Sequence, residues 1–65
     1  MDYESKQKVI AAGFTILRSE DQPTTRIKCI RPGDHHWNTW QKYDTKAERD
    51  RQLKKLLSEP NYIQD

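Results

Sequence analysis

Thr24-Thr25-Arg26-Ile27-Lys28-Cys29-Ile30-Arg31, followed at once by Pro32-Gly33, is rich in β-branched residues and alternates in character from one residue to the next. On an extended chain Thr25, Ile27 and Cys29 share one face, while Arg26 and Lys28 share the other. This predicts a strand with one apolar and one basic face. Pro32-Gly33 predicts a turn, because proline suits the second position of a type I or II turn. Glycine tolerates the positive φ that type II requires at the third.

Working outward, Phe14 to Ser19 alternates apolar with polar or charged residues and predicts another strand. Asp21-Gln22-Pro23 closes it in a turn, since proline fixes its own φ and keeps the residue before it out of helical space. A third strand is expected from about Trp37 to Tyr43. Helix signals lie at both ends. Asp2 can cap a helix running through Val9, Ile10 and Ala12, and Gly13 can end it with a positive φ.

Thr45-Lys46-Ala47-Glu48 has capping-box spacing, in which the threonine oxygen and the glutamate side chain each satisfy a backbone N–H of the other residue. Leu53, Leu56 and Leu57 recur at helical spacing, and Pro60 cannot continue the helix, which predicts a helix over residues 45–58. Asp50 and Lys54, four apart, are expected to pair for a few tenths of a kcal/mol. The expected fold is therefore α+β: helix, three-stranded antiparallel meander, helix, with the helices packed on one face of the sheet. Residues 1–59 are expected to form a single small domain and residues 60–65 a short C-terminal tail, in which Pro60-Asn61-Tyr62-Ile63 either folds back to extend the core, the more economical reading, or serves as a docking segment.

The chain of 65 residues has room for one core, and a domain of this size buries only about 60% of its unfolded surface. With 32% hydrophobic and 34% charged residues, the margin of burial over chain entropy is slim, which makes dimerisation or partner binding an expectation to test. Val9 to Ala12 is too short an apolar run for a signal peptide, and no stretch is long and apolar enough to cross a membrane. Cys29 has no second cysteine to pair with, so a soluble protein of the reducing cytoplasm is expected.

The net charge is +2, and its distribution says more than its size. Residues 1–17 balance Lys6 and Lys8 against Asp2 and Glu4, and residues 43–65 also balance. The excess lies in residues 18–42, where Arg18, Arg26, Lys28, Arg31 and Lys42 meet only Glu20, Asp21 and Asp34.

Two clusters carry possible chemistry, and each has a plainer reading. Cys29 with Asp34, His35 and His36 offers metal-ligating residue types, but at a spacing unlike paired structural zinc ligands, so no metal site is expected. Cys29 with either histidine would need a thiolate beside an oriented imidazole. Its parity with Ile27 makes it a small core residue instead, and no catalytic residue is assigned. No phosphate-binding glycine loop or nucleophile elbow is present, so an enzyme is not expected, nor a cofactor or small-molecule substrate.

Trp37 and Trp40 lie three apart, so a regular strand sends one toward the helices and the other away, leaving one tryptophan exposed. A bulge near His36 would exchange them. The plainer reading is that both are partly buried, because so large a side chain is mostly covered in a small domain. The open sheet face is where a function would sit, with Arg26, Lys28, Arg31 and Lys42 on phosphates and Trp37 or Trp40 stacking on a base; its plainer reading is a solvated face whose cations discourage edge-to-edge pairing. The functional reading leans toward DNA or RNA as the partner. The alternative is a protein-interaction module or small homodimer that uses an exposed tryptophan, the C-terminal helix or the tail.

The element order resembles that of double-stranded RNA-binding domains, with Thr45-Lys46-Ala47-Glu48-Arg49 where that family starts its second helix. The likeness is one of shape. Glu48 and Asp50 interrupt the positive charge that the family places there, and Gln41-Lys42-Tyr43-Asp44 replaces its glycine-rich approach.

Overall fold

A computed structural model describes residues 2–65. Its elements are α1 (Tyr3–Ala11), β1 (Thr15–Glu20), β2 (Arg26–Ile30), β3 (Asn38–Lys42), α2 (Lys46–Leu57) and β4 (Tyr62–Gln64). The protein is thus a small α+β domain with two helices and a four-stranded mixed sheet, in the order β3-β2-β1-β4.

The local signals form largely as their chemistry dictates. Asp2 caps α1 by accepting from the Ser5 N–H at 2.8 Å, and Gly13 leaves the helix at φ +95°. In the turn between β2 and β3, Gly33 has φ +91° and the Asp34 N–H donates to the Arg31 carbonyl at 2.9 Å. Thr45 caps α2 by accepting from the Glu48 N–H at 3.1 Å. Only this half of the capping box forms. Asp50 does not pair with Lys54, because its carboxylate accepts from Arg49 Nε at 2.8 Å instead.

Two expectations are corrected. The three-stranded antiparallel meander is present as β1-β2-β3, but the segment read as a tail supplies a fourth strand, parallel to β1, that pairs Thr15 with Tyr62 and Ile16 with Ile63. A parallel neighbour needs a long crossover, and α2 supplies it, carrying the chain past β2 and β1. With three residues, β4 is too short to show a period of its own.

The helices also do not share one face. Ile16 and Leu17 are adjacent on β1, so their side chains point to opposite sides, yet both are 0% exposed. Each side therefore needs a cover. On one side Leu17, Ile27 and Cys29 form a cluster with Leu53 of α2, edged by Trp40, Tyr43, Leu56, Leu57 and Tyr62. On the other side lie Ile16, Ile30 and Arg18. There α1, which packs on β1, brings Lys6 over the same Trp37 ring that Arg18 approaches. The likeness to double-stranded RNA-binding domains therefore stops at the helix, meander, helix order.

One buried cation ties α2 to the β1–β2 turn. Arg49, 6% exposed, donates from Nη1 to Asp21 Oδ1 at 2.7 Å and to the Glu20 carbonyl at 3.3 Å. Burial alone would lower its pKa, but the hydrogen bonds to Asp50 and Asp21 outweigh this and raise it.

Candidate functional site

The register of the ladder decides which charged side chains stand together. β1 and β2 pair Arg18 with Lys28 and Glu20 with Arg26; β2 and β3 pair Lys28 with Thr39 and Arg26 with Lys42. Paired residues share a face, so Arg18-Lys28-Thr39 and Glu20-Arg26-Lys42 form two adjacent rows on the α1 side of the sheet. A shift in register between Ile27 and Lys28 makes Trp40 the extra residue of β3, which keeps Lys42 on this face. The two rows thus hold four cations and one carboxylate.

The partners of these cations differ. Arg26 uses Nε and one Nη on the Thr24 carbonyl (3.2 Å) and hydroxyl (3.0 Å), which orients the guanidinium and leaves three of its five N–H donors for a ligand. Lys28 reaches Glu20 only at 4.0 Å. Lys42 is exposed and has no ion-pair partner among the described residues. Arg18, by contrast, is engaged: its Nε meets Asp65 Oδ2 at 2.9 Å, and Lys6 meets Asp65 Oδ1 at 3.5 Å.

The remaining site residues separate. Arg31 lies beyond β2, in the turn, where its Nε faces Asp34 Oδ2 at 3.5 Å, away from the rows of Arg26 and Lys28. The Asp34 carboxyl is held below its ordinary value, first by the Arg31 backbone N–H and then by the guanidinium, so this aspartate serves the turn. Asn38 Nδ2 also donates to it, at 3.1 Å.

Neither tryptophan is exposed; both are half-buried, which favours the reading of both as partly buried over that of one free ring. They do point to opposite faces, but each face has its own helix. Trp40 packs on the α2-side cluster, edge-on to Tyr62 with centroids 5.8 Å apart. Trp37 lies on the other side, with Lys6 Nζ 5.3 Å and Arg18 Cζ 5.0 Å from its ring centre. Sequence reasoning missed Arg18 as a member of the site. Its signal was the even spacing from Glu20 on an alternating strand, which becomes useful only once the register with Lys28 is known.

Cys29 is buried among the α2-side residues, and burial pushes its thiol pKa up, away from the thiolate that nucleophilic or metal chemistry would need. His35 and His36 are exposed. Among the described residues no three His, Cys, Asp or Glu side chains cluster as metal ligands, no pocket forms, and no helix is long and apolar enough to cross a membrane. Comparison of the chain with family models, curated proteins and solved structures gives no match.

Proposed function

We propose that this protein binds nucleic acid through phosphate contacts made by Arg26, Lys28 and Lys42 on the α1 side of the sheet. The observation that carries the reading is the register: it sets these three cations on two paired strands of the sheet, with Glu20 as the one acid in the rows. Cations so placed neutralise phosphates and release their condensed counterions, which makes binding salt-dependent. The occupied tryptophans leave phosphate contact, rather than base stacking, as the basis of affinity.

The test is fluorescence anisotropy of a labelled oligonucleotide with the parent protein and with Arg26→Ala combined with Lys28→Ala. The parent is expected to bind with an affinity that falls as salt rises. Each cation removed should reduce the slope of log affinity against log salt by about 1. A double variant that binds as well as the parent would sink the reading. The alternative, a protein-interaction module or homodimer, would be favoured by self-association or partner binding that survives high salt.

A further inference from the structure

We infer that the ligand of this face is the double-stranded form of nucleic acid, held by its backbone without sequence preference; the inference rests on the phosphate-binding reading above. Proteins that hold single strands offset the cost of ordering a flexible chain by stacking its bases on exposed aromatic rings, at about 1–3 kcal/mol per base. This face offers no such platform. A base stacking on Trp37 has to compete with Lys6 and Arg18, which already stand 5.3 and 5.0 Å from the ring centre. Trp40 and Tyr62 belong to the opposite side of the sheet. Tyr3, 76% exposed, is the exposed large hydrophobic residue among those described, and it sits on α1 and outside the rows of cations.

A duplex removes the ordering cost, because its phosphates are already fixed in space when they meet the cations. It also returns more counterions per contact: each neutralised phosphate contributes about 0.9 to the salt slope on duplex against about 0.7 on a single strand. Thr39 is the neutral member of the two rows, lysine at positions 28 and 42 acts as a point charge, and Arg26, oriented by Thr24, has three donors left, which a phosphate can accept as a fork. Affinity on this face therefore follows backbone charge and not base identity.

Anisotropy titrations of the full chain across a range of salt decide the point, using two unrelated DNA duplexes of about two helical turns, an RNA duplex of that length and an oligo-dT single strand. The duplexes are expected to bind more tightly than oligo-dT, with the two DNA sequences equal within about twofold and a slope near −2.7 for three phosphate contacts. Oligo-dT binding as tightly as the duplexes would overturn this inference and leave the phosphate-binding reading intact. So would one DNA sequence binding about tenfold better than the other. Binding to none of the probes would remove both. Arg26→Gln with Lys28→Gln, checked for native circular dichroism, should flatten the duplex slope; an unchanged slope would overturn the assignment of the face.

Discussion

On the α2 side of the sheet, Leu17, Ile27 and Cys29 meet Leu53, with Trp40 and Tyr62 closing the edge. On the α1 side the same strands show Ile16 and Ile30 toward one end and Arg18, Lys28, Arg26 and Lys42 toward the other. The two sides come from alternate residues of one set of strands, yet one stores burial and the other presents charge. A chain this short has few apolar residues to spend, and concentrating them beneath α2 and at the α1 end leaves the remaining sheet surface to charged side chains.

Substitutions on the two sides should separate accordingly. The largest loss is expected on the α2 side: Leu53→Ala should destabilise the domain by about 3 kcal/mol, and Trp40→Ala by a similar amount. Domains of this size hold only about 3–5 kcal/mol in total, so urea denaturation should find either variant close to unfolded. Near-parental midpoints would break the contrast between the sides. Trp37→Ala should cost less, about 1 kcal/mol, because its ring, half-buried outside the α2-side cluster, trades cation–π contacts rather than core packing.

Acid sharpens a different part of the comparison, the tie between α2 and the β1–β2 turn. The hydrogen bond from Arg49 holds the Asp21 carboxyl below its ordinary 3.8. A lowered folded pKa stabilises fully above the unfolded value and is lost as pH falls through the folded one. The Asp2 and Asp34 carboxyls are also lowered, each chiefly by a backbone N–H. Urea midpoints should therefore be steady at neutral pH and drop below about pH 4, with a shallower drop in Asp21→Asn. A midpoint that does not fall in acid would contradict the role of these carboxylates.

The smallest effect belongs to the open end of the α1 side. Arg26→Ala with Lys28→Ala should shift stability by no more than about 0.5 kcal/mol while weakening oligonucleotide binding and its salt dependence. A large destabilisation instead would mean that these cations hold the sheet together.

Much of the frame was legible in the chain. Asp2, Gly13, Gly33 and Thr45 mark element ends through interactions spanning three or four residues, and each acts within that range. The opposed helices were not legible there: Phe14 to Ser19 reads as alternating, and only the burial of both Ile16 and Leu17, adjacent on β1, shows that each side of the strand needs a cover. The candidate site was readable only in part. Parity placed Arg26 and Lys28 together, but joining Lys42 to them needed the shift at Trp40, and separating Arg31 needed the Asp34 turn.

The sequence by itself determined the element types, the turns, the strand parity and the charge excess of residues 18–42, because backbone preference, side-chain alternation and local capping act between near neighbours. Only the tertiary structure decided that Tyr62–Gln64 pairs with β1, that Arg49 reaches back to Asp21, and that both tryptophans are occupied. Each of these joins residues far apart in the chain, and such contacts are chosen by competition for a small amount of apolar surface that no local pattern records.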